Sequence, residues 1–276
     1  MVPQATIAKE ARKQNCLPRG KGYAHGLGFI LTATACLIAA LASPNRAMAE
    51  TTIACPSGTY DMLDWMTLDS DLRSTYHLQG TSNPVYTVMQ SGSFLWVKSG
   101  LGYPWDVQLY DNNYIYLWIT ELSFTAPQSF KKFINNPSKT KTNLPLVPRC
   151  ATAGNPGSTI TVTNTNYDLQ TDCQSSCSVT LGLETAINEV WGPYTITYGG
   201  NLPANLKTLV ISYRYNCAAN VCGDKEEYYL TQRYGLVQWI HWIWIPALGK
   251  YEQVQKTVLN QLVKGVVKPN FPCFTL

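Results

Sequence analysis

The sequence predicts a mostly β protein: antiparallel sheets in a sandwich or jelly-roll-like arrangement, with a short helical segment before them. Three observations carry that expectation. Short runs of β-branched and aromatic residues alternate with a period of two. Gly, Pro, Asn and Asp punctuate the runs at short intervals, as turns between strands require. Charged residues make up only 14% of the chain while aromatics reach 12%, the balance of a chain that packs rather than one that stays solvated.

Residues 1–49 read as a cleaved signal peptide. A basic stretch holding Lys9, Arg12, Lys13, Arg19 and Lys21 precedes an uncharged apolar run at 27–42, and Ala47-Met48-Ala49 supplies a small-residue cleavage site. The apolar run falls short of the ~20 residues a membrane-spanning helix needs, and Pro44 and Arg46 end it. The expected mature chain therefore starts at Glu50, keeps no permanent membrane span and works outside the cytoplasm, secreted or periplasmic. Cleavage also changes the charge. The whole chain carries +4, but the leader holds six basic residues and one acid, which leaves one net negative charge after Ala49. A near-neutral chain has no electrostatic footprint for a polyanion, so nucleic acid is not an expected partner.

Residues 59–78 place Met62, Leu63, Met66 and Leu72 among acids, which predicts one or two short helices. Asp61 or Thr59, and Asp69 or Ser70, are the expected caps, and His77 is expected to end a helix. Beyond Pro84, residues 85–90, 94–99, 105–110 and 114–122 read as a β-meander. Residues 127–148 contain four prolines and read as a linker, with Lys131, Lys132, Lys139 and Lys141 on a solvated loop. A second β block takes in 159–164, 179–183, 194–198, 206–216, 226–232 and 236–244. Two regions are thus expected, 50–145 and 146–276, either separate or merged into one continuous domain.

Seven cysteines follow the leader. Outside the cytoplasm they read as disulfides. Cys217 and Cys222 flank four residues between two expected strands, a spacing that suits a bridge across a hairpin. Cys173 and Cys177 are a second close pair. Among Cys55, Cys150 and Cys273, a bridge between two would tie a terminus to the middle of the chain, and the odd thiol stays free or pairs with another chain. Zinc fits poorly, because His77 and His241 are the only histidines after the leader and neither lies beside a cysteine pair. No metal or cofactor is expected.

No nucleophile elbow, zinc-protease helix, phosphate loop or dinucleotide fingerprint occurs. The candidate chemistry lies on the expected strands. On the last three, Arg214, Glu226, Glu227, Tyr229, Arg233, Trp239 and His241 are expected to converge on one concave face. On the first block, Trp105, Tyr116 and Trp118 form an aromatic surface beside Asp111-Asn112-Asn113, which reads as a hairpin turn in preference to a Ca²⁺ site. Aromatic platforms edged by polar groups suit sugar rings, whose apolar faces stack while their hydroxyls pair with Arg, Glu, Gln and Asn. The function expected is non-catalytic binding of carbohydrate or cell-surface material. A polysaccharide hydrolase or lyase is the alternative, with Glu226, Tyr229, Arg233 and His241 as its acid–base candidates. A structural envelope protein is a third reading, and cross-strand Arg–Glu pairs on a plain solvated sheet face are the non-functional account.

Overall fold

Two short helices open the described chain, and almost everything after them is strand. The computed structural model describes residues 53–80, 88–91, 93–98, 104–123, 129–135, 143–171, 179–218 and 221–267. The expected leader, Cys173, Cys177, Cys273, Lys139 and Lys141 lie outside the described residues. The chain begins β1 (Tyr60–Asp61), α1 (Leu63–Met66), α2 (Ser70–Arg73) and β2 (Tyr76–Gln79). A meander follows: β3 (Val88–Ser91), β4 (Phe94–Lys98), β5 (Pro104–Tyr110), β6 (Tyr114–Ser123) and β7 (Ser129–Asn135). Next come β8 (Leu144–Pro148), β9 (Cys150–Ala151), β10 (Thr159–Thr171) and β11 (Val179–Ile196). The last group is β12 (Leu206–Ala218), β13 (Val221–Thr231), β14 (Gly235–Ile245), β15 (Lys250–Val258) and β16 (Gln261–Lys264).

Twelve of these strands form one antiparallel sheet. Its order is β15-β14-β13-β12-β11-β10-β7-β6-β5-β4-β3, with β8 added against β6. Two small ladders, β1 with β9 and β2 with β16, anchor the helical segment and the last described strand. The described chain is therefore mostly β and antiparallel with two short α-helices, as the sequence predicts. The sheet also takes strands from both sides of the expected division near residue 145. Among the described residues no helix is long and apolar enough to cross a membrane.

The sheet curls around the helical segment. Arg73 of α2 hydrogen-bonds Gln90 on β3. The same helix meets the other end of the sheet, where Arg233 in the β13–β14 turn donates to Asp71 at 2.9 Å and its carbonyl accepts the Asp69 amide at 3.0 Å. In a flat sheet, β3 and β13 would stand about 38 Å apart, at ~4.8 Å for each of eight strand spacings. A four-residue helix is only about 6 Å long, so the sheet must bend back on itself to reach both sides of α2. This bend gives the layered, sandwich-like arrangement its two walls.

The core fills the inside of the bend. Met62, Leu63 and Trp65 of the α1 region pack in one buried cluster with Leu209 and Ile211 of β12, Tyr228 and Leu230 of β13, and Val237 and Trp239 of β14. The period-two alternation of β12 and β13 selects those residues. Gly235 opens β14 with φ +69°, and an added Cβ there would lie 2.8 Å from backbone atoms of Met66 and Thr67. Only a glycine allows β14 to start this close to the end of α1. Below the helices, Arg149 (1% exposed) forms a two-pronged ion pair with Asp61 (8% exposed), and Arg149 Nη2 meets Asp61 Oδ2 at 2.8 Å. The Cys55–Cys150 bridge lies next to that pair in sequence and ties the start of the described chain to β9.

Several expectations change. His77 does not end a helix; it sits on β2 opposite Val263, and its Nδ1 lies 2.9 Å from the Gly265 carbonyl. Asp69 takes the cap position of α2, but its backbone carbonyl rather than its carboxylate accepts from Leu72 and Arg73. The proline-rich stretch 127–148 holds β7 and β8, so Lys131 and Lys132 lie on a strand rather than a loop. Residues 179–183 and 194–196 belong to one long strand, β11, which runs through the intervening Glu184 to Trp191 and ends before Thr197. Strands β15 and β16 carry no apolar alternation strong enough to predict them, and they form at the end of the chain by pairing with β14 and β2.

Candidate functional site

The convex side of β11, β12 and β13 carries a cleft of about 500 Å³. Strand register explains its floor. Glu189, Ser212 and Glu227 face one another across the three strands in one rung. The next rung on that face brings Arg214 opposite Lys225, with Trp242 of β14 beyond it. The rung on the other side sets Trp191, Val210 and Tyr229 in line. Because i and i+2 on a strand share a face, the sequence of each strand fixes which of its residues enter the cleft.

Charge in the cleft is internally paired. Arg214 Nη2 donates to Glu189 Oε1 at 2.6 Å, and Trp191 Nε1 donates to Glu189 Oε2 at 3.1 Å. Across Ser212 the arrangement repeats: Lys225 Nζ donates to Glu227 Oε1 at 2.8 Å, and the Tyr229 hydroxyl donates to Glu227 Oε2 at 3.0 Å. Each carboxylate thus holds a cation on one oxygen and an aromatic donor on the other. The Lys225 ammonium also lies over the rings of Trp242, at 4.6 Å, and Tyr251, at 5.1 Å. In the same rung, Arg214 Nε and Trp242 Nε1 are buried and have no hydrogen-bond partner among the described residues. Burial first, and then the neighbouring Glu227 carboxylate, raise the Tyr229 hydroxyl above the usual tyrosine range, so it remains a donor.

Aromatic rings close both ends. The register of β11 against β12 slips between Trp191 and Tyr194, where Gly192 adopts φ +111°. A Cβ on Gly192 would meet the Thr208 carbonyl at 2.8 Å, so the glycine lets β11 bulge. The bulge returns Tyr194, 40% exposed, to the cleft side. At the far end Tyr251 of β15 lines the cleft, held by its hydroxyl bond to the Cys222 carbonyl at 2.8 Å.

The residues singled out by sequence are divided by the sheet. Arg214, Glu227 and Tyr229 come together in the cleft. Glu226, Trp239 and His241 share the opposite, core-side face, because Glu226 pairs with His241 and Tyr228 with Trp239. There the Glu226 carboxylate accepts from Tyr228 at 2.6 Å, Trp239 at 3.0 Å and Tyr215 at 3.1 Å. His241 Nε2 lies 3.1 Å from Asp224 Oδ1; that hydrogen bond raises the imidazole pKa above its ordinary value, burial opposes the shift, and the Glu226 and Asp224 charges add to it. Arg233 belongs to neither face and pairs with Asp71.

In the first block, Tyr116 donates to Asp111 at 2.7 Å, and the same carboxylate accepts the Asn113 and Tyr114 amides. Partial burial pushes the Asp111 carboxyl up, but those bonds and the Arg149 charge outweigh it and hold it below the usual range. Asp111 is thus engaged in a hairpin turn. Trp105 and Trp118 have their backbones on β5 and β6, and their side chains lie outside what the structure describes. Cys217 and Cys222 face each other across β12 and β13 and are bridged.

Sequence reasoning missed Glu189, Trp191, Tyr194, Lys225 and Tyr251. The alternation Glu189-Val190-Trp191 was a usable signal, hidden by the Gly192-Pro193 break that follows it. Tyr251 had none, since its strand is polar. No protein-family model matches the chain, and neither a curated protein nor a solved structure matches it.

Proposed function

We propose that this is an extracytoplasmic protein that binds carbohydrate without cleaving it, through the cleft on β11–β13. The observation that carries the reading is the pairing of aromatic walls with carboxylates whose charge is already balanced. A neutral sugar needs platforms for its apolar face and a mixture of donors and acceptors for its hydroxyls. Trp191, Tyr194, Tyr229 and Tyr251 supply the first, and Glu189, Glu227, Ser212, Arg214 and Lys225 the second. Each carboxylate oxygen has a further lone pair for a ligand hydroxyl beyond the bond it already accepts. The two disulfides among the described residues fit an oxidising compartment and so support the extracytoplasmic setting.

Binding is favoured over hydrolysis by the same geometry. Glycoside cleavage requires one carboxyl to deliver a proton to the leaving oxygen. Here both cleft carboxylates already accept from a cation and a second donor on separate oxygens. Of the acid–base candidates of the sequence, Glu226 and His241 face away from the cleft, Arg233 pairs with Asp71, and Tyr229 lines the cleft as a donor to Glu227. The test is retention of the purified protein on a panel of immobilised neutral and acidic polysaccharides. Retention on a neutral glycan, lost in Trp191→Ala and Tyr194→Ala at unchanged melting temperature, is expected. Absence of retention on every glycan, or variants that bind like the parent, would sink the proposal.

A further inference from the structure

The shape of the cleft limits which carbohydrate it takes. Its lining follows β12 lengthwise: Tyr251 and Lys225 lie at the Arg214 end, and Ile196 pairs with Leu206 at the other. From Arg214 to Leu206 the strand covers about 26 Å, at ~3.3 Å per residue, and from Tyr194 on β11 to Tyr251 on β15 the lining also crosses four strand spacings, about 19 Å. The cleft therefore extends along β12 and slants across the sheet, with Tyr194 and Tyr251 at its far corners. Polar groups occupy its middle and aromatic rings its ends, Tyr194 exposed and Tyr251 half-buried. A single sugar ring reaches one of those ends but never both.

We infer that the cleft takes a linear, uncharged glycan laid slantwise across β12, with sugar rings on Tyr194 and Tyr251 and the hydroxyls of the intervening units on the Glu189–Ser212–Glu227 rung. This rests on the carbohydrate-binding reading above and adds chain length, orientation and charge to it. That rung and the Arg214–Lys225 rung beside it balance two acids with two bases, so the cleft offers no net charge to recruit an acidic sugar. Its donors and acceptors alternate along the strand, which suits hydroxyls on successive units of one chain.

Calorimetric titration of the purified, disulfide-bonded protein with neutral cello- and malto-oligosaccharides, from monosaccharide to hexasaccharide, tests the inference. Affinity should rise about tenfold once the chain is long enough to engage the second aromatic end, and then level off. Tyr194→Ala and Tyr251→Ala should each remove about one tenfold step for the long chains and leave the disaccharide, which rests on the remaining end, little changed. Raising salt should not weaken the hexasaccharide. Equal affinity for glucose and the hexasaccharide, or binding confined to uronate or sulfated chains, would overturn the inference while leaving carbohydrate binding intact. Binding to no sugar of any length or charge would overturn both.

Discussion

Replacing Glu226 by glutamine should damage the fold and spare the cleft. The carboxylate is the shared acceptor of Tyr215, Tyr228 and Trp239, at 3.1, 2.6 and 3.0 Å. Hydrogen bonds to a charged group contribute roughly 1.5–3 kcal/mol each, so three reach about 4–5 kcal/mol even at the low end. The three do not add fully, because Glu226 is half-buried and water can reach part of it. Glutamine keeps one oxygen, which can go on accepting from Tyr228 and Trp239. Its amide then faces the Tyr215 hydroxyl, which must reverse from donor to acceptor. We expect a loss of about 1–2 kcal/mol for Glu226→Gln and about 2–4 kcal/mol for Glu226→Ala. At about 2–4 °C per kcal/mol for a chain of this size, the alanine variant should melt on the order of 4–16 °C lower. Urea unfolding followed by tryptophan fluorescence measures both. A glutamine variant as stable as the parent, or one that loses ligand binding at unchanged stability, would refute the structural role and return Glu226 to the list of candidate catalytic acids.

Arg149→Ala should cost about 3–5 kcal/mol, because it strands the buried Asp61 carboxylate; Arg149→Lys, which keeps charge but not the fork, should cost less, and thermal melts of both would show the order. His241 gives a pH signature. Its folded-state pKa lies above its ordinary value of about 6.5, so its stabilising contribution is complete below that pH and fades as pH rises through the raised value. The melting-temperature difference between the parent and His241→Gln should therefore shrink from pH 6 towards alkaline pH; a difference that widens would refute the Asp224 assignment. The two described disulfides should differ by loop length: opening Cys55–Cys150, 95 residues apart, costs about 4–5 kcal/mol, and opening Cys217–Cys222, five apart, about 2 kcal/mol. Chemical denaturation of Cys55→Ser and Cys217→Ser variants checks that ranking.

The strands were legible where alternation was strong and turns were marked. Leu209, Ile211 and Tyr213 announce the core face of β12, and Asp111-Asn112-Asn113 announces the β5–β6 turn. Legibility failed in two physical circumstances. A bulge breaks the period-two pattern, so Gly192-Pro193 concealed that β11 continues and carries Glu189 and Trp191 into the cleft. An edge strand with little to bury has no apolar pattern, so β15 and its Tyr251 were invisible. The cleft itself failed for a third reason. Seven polar and aromatic residues on adjacent strands were expected on one face, yet consecutive residues such as Glu226 and Glu227 must point to opposite faces of a sheet. Register decides which members of such a group meet, and register depends on pairing that local sequence does not state.

One local device recurs on both faces of the sheet. Glu189 accepts from Trp191, Glu226 from Tyr228 and Glu227 from Tyr229, each two residues further along its own strand. Glu226-Glu227-Tyr228-Tyr229 therefore encodes two such pairs back to back, one facing the core and one the cleft. What differs is the company. The inner carboxylate gathers further aromatic donors, while each outer one gathers a cation, Arg214 or Lys225. The outer pairs keep some access to solvent, 12–25% of each side chain being exposed, and each outer carboxylate accepts two of these bonds where Glu226 accepts three. They hold less of the fold than Glu226 does, and they fix where each carboxylate points. Glu227→Gln should accordingly cost less stability than Glu226→Gln while weakening glycan binding, which Glu226→Gln spares. If the two neighbours instead behave alike in melts and in binding, the sheet does not separate a structural face from a recognition face, and the cleft loses its claim to be the site.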